Sequence, residues 1–139
     1  MTIVDASLAV KWITGERGRE KANELFASGE QLAGPFLLRV EVMAAIARKT
    51  RFHEITPADA LASADLWSAI LNGDISLIPE DADLPRALAL SIELDHPLED
   101  CVYLALAERL DAPLVTADER FVARAHRRYP RVGLLARAR

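Results

Sequence analysis

Residues 98–121 constrain the fold more than any other stretch of the chain. They read Leu-Glu-Asp-Cys-Val-Tyr-Leu-Ala-Leu-Ala-Glu-Arg-Leu-Asp-Ala-Pro-Leu-Val-Thr-Ala-Asp-Glu-Arg-Phe. Val102, Leu106 and Leu110 recur at helical spacing with alanines between them. That pattern predicts a helix from about residue 98 to 110, packed on an apolar layer. Pro113 breaks it. Leu114, Val115 and Thr116 then form a short run with no polar face, as a buried parallel strand would. Asp118 opens another helix. Asp100 therefore falls near a helix start, and Asp118 just past the carboxyl end of a strand. Open α/β sheets bind ligands at that edge.

The rest of the chain repeats this alternation. Ile3 and Val4 predict a strand that ends at Asp5, and Ser7 is positioned to cap a helix beginning near Leu8. A helix is expected from Arg19 to Ala27, a short strand at Gln31 to Ala33 and a turn at Gly34-Pro35. Phe36 to Lys49 reads as a strongly apolar helix, and Pro57 starts the next at its favoured first-turn position. Ile75 to Ile78 is a strand. Leu84 to Leu94 is a helix expected to turn Leu84, Ala87, Leu88 and Ile92 inward. A helix from Asp118 to Arg128 and a strand near Val132 to Leu135 close the pattern. Short apolar strands alternating with helices predict an α/β fold with a parallel sheet covered on both faces. At 139 residues, with no linker or repeat, one domain is expected over 1–139.

Four carboxylates stand out. Glu41 lies mid-helix with Leu37, Leu38, Ala44 and Ala45 as its i±3 and i±4 neighbours. A carboxylate beside a buried stripe is costly unless it is paired, protonated or bound to a metal. Arg39 is poorly placed to pair with it, because residues two apart on a helix do not face each other; Arg48 or a distant base remains open. Asp5, Asp100 and Asp118 each have a simpler reading. Asp5 suits a helix N-cap. Asp100 and its neighbour Glu99 suit a first helical turn. Thr116-Ala-Asp-Glu119 fits a capping box with Asp118 in its first turn. Gathered at one edge, however, four acids repel one another unless a cation sits among them. Oxygen ligands with no His or Cys cluster favour a hard ion, Mg²⁺ or Mn²⁺.

Other chemistries lack their residues. There is no phosphate-cradling Gly-x-x-x-x-Gly-Lys-Ser/Thr loop and no His-Glu-x-x-His. His53, His96 and His126 are scattered and read as surface or turn residues. A phosphatase of the haloacid-dehalogenase type would need an Asp where Ser7 stands. A receiver domain would need a Lys after its fifth strand, and no Lys follows Lys49. No apolar run approaches membrane-spanning length. The start of the chain has no basic segment of a secretory signal. The lone Cys101 reads as a small core residue, which fits a reducing cytoplasm.

Charge is unevenly spread. The chain nets −4, but residues 120–139 carry seven arginines and no acid, while the first 119 residues hold 21 acids and net −11. Arg124, Arg127 and Arg128 are therefore candidates for contact with a polyanion, against the plainer reading of a solvated helix face.

Four segments together resemble a family. They are Val-Asp-Ala-Ser-Leu-Ala-Val-Lys-Trp at 4–12, Pro-Phe-Leu-Leu-Arg-Val-Glu-Val at 35–42, His-Pro-Leu-Glu-Asp-Cys-Val-Tyr-Leu-Ala-Leu-Ala at 96–107 and Val-Thr-Ala-Asp-Glu-Arg-Phe at 115–121. In this order and spacing they resemble the PIN-domain ribonucleases, specifically VapC-type toxins of toxin–antitoxin pairs. The resemblance implies a three-layer α/β/α sandwich around a short parallel sheet. It implies that Asp5, Glu41, Asp100 and Asp118 form an acidic pocket for Mg²⁺ or Mn²⁺, lined by the hydroxyls of Ser7 and Thr116. It implies an RNA-cleaving toxin, a homodimer and a cognate VapB-type antitoxin. Glu99 departs from the pattern, which usually has an aromatic before the aspartate. Alternatives from other classes are a receiver-like domain that binds Mg²⁺ without catalysis and a PIN-like domain that binds RNA without cutting it.

Overall fold

The computed structural model describes residues 1–135. Arg137 and Arg139, two of the arginines behind the charge asymmetry, lie outside the described residues.

The strands are β1 (Thr2–Val4), β2 (Leu32–Pro35), β3 (Ile75–Ile78), β4 (Leu114–Thr116) and β5 (Val132–Leu134). They form one sheet in the order β3-β2-β1-β4-β5, and every pairing is parallel. The helices are α1 (Ala6–Ile13), α2 (Arg19–Ala27), α3 (Leu37–Arg51), α4 (Pro57–Leu71), α5 (Leu84–Leu94), α6 (Leu98–Arg109) and α7 (Glu119–Ala125), with a 3₁₀ turn at Asp81–Asp83. The predicted α/β architecture is what forms. Helices α1 to α4 contact one another, while α5 and α6 pack together and α6 lies along β1, β2 and β4. From β1 the chain steps outward through β2 to β3, then returns to the other side of β1 as β4. The reversal falls between β1 and β4, and the crevice at such a switch point is where α/β sheets hold ligands.

Residues 101–107 of α6 are all buried, which explains why this helix shows no polar face in sequence. Cys101 is part of that run, as expected, and its thiol is pushed up to about 11 by burial. Gly34 extends β2 where a turn was expected. A Cβ there would stand 2.8 Å from Leu38 Cδ2, so the missing side chain lets α3 begin tight against the sheet. Among the described residues no helix is long and apolar enough to cross a membrane.

One expected face is wrong. Helix α5 buries Ala87, Leu90 and Leu94, while Leu84, Leu88 and Ile92 are exposed. The helix carries two apolar stripes, and periodicity alone cannot say which one meets α6.

Candidate active site

The turn after β1 places Asp5 as the N-cap of α1. Its Oδ1 accepts a hydrogen bond from the Leu8 backbone N–H at 3.1 Å and another from the Ser7 hydroxyl at 2.7 Å. Ser7, expected as the cap, lies inside the helix instead and bridges to β4 by accepting from the Ala117 N–H at 3.0 Å. The Thr116 hydroxyl donates to Asp5 Oδ2 and lies 3.1 Å from Ser7 Oγ. Asp5, Ser7 and Thr116 thus tie the ends of β1 and β4 together. Asp5 is at once the helix cap of the plainer reading and a member of the acidic group.

Asp118 caps α7, accepting from the backbone N–H groups of Arg120 and Phe121 at 3.0 and 3.1 Å. This replaces the expected capping box. Thr116 instead accepts from the Asp118 N–H, which fixes the turn that aims Asp118. Asp100 sits in the first turn of α6. Its Oδ2 lies 2.7 Å from His96 Nε2. Glu41, one turn into α3, accepts from the Tyr103 hydroxyl at 2.7 Å; neither Arg39 nor Arg48 reaches it.

The four carboxylates form one electrostatic group with Asp100 at its centre. Burial pushes the Asp5 carboxyl up to about 7, against the pull of its hydrogen bonds, and Asp100 pushes it further. Glu41 is raised by burial and by the charges of Asp100 and Glu99, although the Tyr103 bond lowers it. Asp100 is raised by burial, then by Asp118 and Glu99, with His96 pulling the other way. Burial and the same acids hold the Tyr103 hydroxyl protonated well above its ordinary range, so it is the donor to Glu41. Among the described residues no lysine or arginine pairs with any of the four. Glu99 is exposed, and its charge adds to the negative field.

Two residues of this site are absent from the sequence-derived set. His96 is buried rather than superficial, its ring stacked on Phe121 at 4.9 Å between centroids. Together with Asp100 and Asp118 it offers ligand atoms that lie within 4.8 Å of one another. Tyr103 is fully buried. A partial signal was available: Asp100 and Tyr103 stand at i and i+3 on one face of an apolar helix, while His96 precedes that helix beyond Pro97.

The arginine-rich tail is partly used internally. Arg124 donates to the Leu94 and Asp95 carbonyls, and Arg128 pairs with Glu93 at 3.0 Å. Arg127 makes no such contact among the described residues. A groove of about 920 Å³ runs from Lys11, Arg17, Arg19 and Lys21 to Ala117 and Glu119, on either side of Asp118 in sequence.

Fold and site together define an α/β domain with a cluster of acids at the switch point of a parallel sheet. The sequence profile of the PIN domain matches residues 2–127, and the chain belongs to that family. Similar solved structures include a toxin–antitoxin complex from Klebsiella pneumoniae, with TM-score 0.68 and 16% identity over 99% of this chain and 100% of that one. PAE2754 from Pyrobaculum aerophilum has TM-score 0.70 and 21% identity over 88% and 84%. Mycobacterium tuberculosis VapC20, a sarcin-ricin loop cleaving toxin, has TM-score 0.70 and 16% identity over 90% and 95%. No curated protein matches the chain by sequence.

Proposed function

We propose that this chain is a single PIN nuclease domain over residues 1–139, a metal-dependent endoribonuclease acting as the toxin of a toxin–antitoxin pair. The observation that carries the reading is the group of four carboxylates that no lysine or arginine among the described residues neutralises. Such a group fits a divalent cation: its donors are hard oxygens, and burial, with a further push from Asp100, raises the Asp5 carboxyl to about 7.

In this reading Asp5, Asp100, Asp118 and Glu41 hold Mg²⁺ or Mn²⁺. When bound, the ion supplies charge neutralisation at the scissile phosphate and lowers the pKa of water. Ser7 and Thr116 fix the Asp5 carboxylate from below. Glu41, the carboxylate on the helix beyond β2, completes the ligand set with the oxygen that Tyr103 leaves free. The groove lined by Lys11, Arg17, Arg19 and Lys21, together with Glu16, Glu20 and Glu119, is the candidate path of the RNA backbone toward the acids. The likeness to a sarcin-ricin loop cleaving toxin supports RNA as the substrate class. The likeness to a toxin–antitoxin complex supports a VapB-type antitoxin. The exposed stripe Leu84, Leu88 and Ile92 supports a homodimer, and the cytoplasm is the compartment this function requires.

The test is cleavage of a structured RNA by the purified chain in Mg²⁺ and in EDTA. Cleavage in Mg²⁺ that EDTA abolishes supports the reading. Binding of RNA without cleavage in either condition would replace it with the RNA-binding alternative.

A further inference from the structure

We infer that His96 and Tyr103 are positioning residues of the acidic pocket: each donates one hydrogen bond that fixes a carboxylate and leaves that carboxylate's second oxygen for the cation. The inference rests on the metal-dependent reading above.

At Asp100, Oδ2 is taken by His96 Nε2, and Oδ1 has no protein partner among the described residues. At Glu41, Oε1 is taken by the Tyr103 hydroxyl, and Oε2 has no protein partner among the described residues. Each acid is thus held by one oxygen and available by the other. Both donors are themselves fixed. The His96 side chain is 3% exposed, with its ring against Phe121. Its backbone N–H donates to the Ser91 carbonyl, and its carbonyl accepts from the Ser91 hydroxyl at 2.6 Å. The Ser91 bonds fix the His96 backbone, and the stacking on Phe121 and the burial hold its ring beside Asp100. Tyr103 is enclosed in the apolar run 101–107, where phenylalanine would fill the same space. Its hydroxyl is the one side-chain group of that run with a hydrogen bond to another element among the described residues, to Glu41, 62 residues away in sequence.

The donors are also of the right kind. An arginine or lysine in either place would hold the carboxylate but oppose a cation beside it. A phenol O–H and an imidazole N–H orient an oxygen without the permanent charge of a guanidinium or an ammonium. A carboxylate held in one rotamer meets an ion without first losing side-chain freedom. Groups that orient ligands in this way typically account for about 10–100-fold in metal affinity.

The experiment measures Mn²⁺ binding by calorimetry, without RNA, for the full chain and for Tyr103→Phe, His96→Leu and His96→Gln, alongside unfolding in EDTA. Tyr103→Phe and His96→Leu are expected to raise the Mn²⁺ dissociation constant about 10-fold or more. His96→Gln keeps an N–H close to the Nε2 position and should recover most of that loss. A merely structural role would lower stability in EDTA and leave the dissociation constant alone. Wild-type affinity in Tyr103→Phe, or a His96→Gln variant as weak as His96→Leu, overturns the inference while leaving the metal reading in place. If His96→Leu does not fold, Tyr103→Phe decides the matter. Absence of Mn²⁺ binding by the wild-type chain would remove both.

Discussion

Asp5 and Asp83 are buried to nearly the same degree, 2% and 3% exposed, yet the molecule treats them in opposite ways. Asp83, at the turn before α5, is met by both arms of Arg109 from the end of α6, at 2.7 and 2.9 Å. Asp5, beside the other end of α6, is met by two hydroxyls and a backbone N–H. A paired carboxylate is complete within the protein. A carboxylate given only neutral donors, among other carboxylates, retains a deficit that a proton or an outside cation can fill. The same helix therefore carries a structural ion pair at one end and part of an uncompensated site at the other.

The sharpest way to break this comparison is to remove charge at each place. Asp5→Asn should reduce RNA cleavage in Mg²⁺ by at least about 100-fold, the upper end of the loss seen when a metal ligand's partner is removed. Asparagine caps helices about as well as aspartate, and one like-charge repulsion disappears, so unfolding in EDTA should be unchanged or more difficult. Asp83→Ala should do the reverse, keeping cleavage and lowering stability, because charge-assisted hydrogen bonds are lost. If Asp5→Asn keeps near-wild-type cleavage, or loses it only by unfolding, the site is wrongly drawn.

A smaller effect follows from metal. At 100 times its dissociation constant, Mg²⁺ or Mn²⁺ should stabilise the wild type by about 2.7 kcal/mol. Thermal melts with and without metal should show that gain intact in Asp83→Ala and much reduced in Asp5→Asn. An equal gain in Asp5→Asn would remove Asp5 from the ligand set.

Smaller again is the response to pH. Burial pushes Asp5 from 3.8 to about 7 in the fold, so between those values the folded chain holds a proton that the unfolded chain has released. Asp5 therefore contributes stability that is present below about pH 4 and lost as pH rises through about 7. The raised carboxyls of Glu41 and Asp100 act with the same sign. Denaturation in EDTA across this window should show the decline, and Asp5→Asn should flatten much of it. A wild-type chain whose stability rises over that window would contradict the burial argument.

The smallest expected effect concerns the basic tail. Arg109 is spent on Asp83, and Arg124 and Arg128 on α5 and its end, but Arg127 is unspent among the described residues. Arg127→Ala should reduce the dependence of RNA affinity on salt by about one unit of log–log slope if it meets a phosphate. An unchanged slope returns the tail to a solvated face, with antitoxin binding measured separately.

What sequence could reveal follows from how local each signal is. The strands and helices were legible because their apolar runs and breaks are contiguous. Asp5, Asp100 and Asp118 were legible because strand ends and helix starts are visible in the chain, and Glu41 because an acid beside an apolar stripe demands explanation. His96 and Tyr103 were missed because their importance lies in what they touch. Nothing near Tyr103 in sequence announces Glu41. The Asp83–Arg109 pair was missed for the same reason, since both residues look like ordinary surface charges. Helix α5 misled because either of its apolar stripes could have been the buried one.

The pairing of β1 with β4 bears on when the protein can become active. Asp5 is synthesised before its Thr116 partner, which comes 111 residues later. Parallel pairing across such a separation cannot form until the later strand exists. A growing chain that has not yet delivered β4 can already pair β1 with β2 and pack α1 on α3, but it lacks Asp118 and the Thr116 hydroxyl that holds Asp5. The translating machinery is therefore exposed only to an unassembled pocket through most of this synthesis. For a protein proposed to cut RNA, order of emergence is itself a safeguard, acting before any partner protein can.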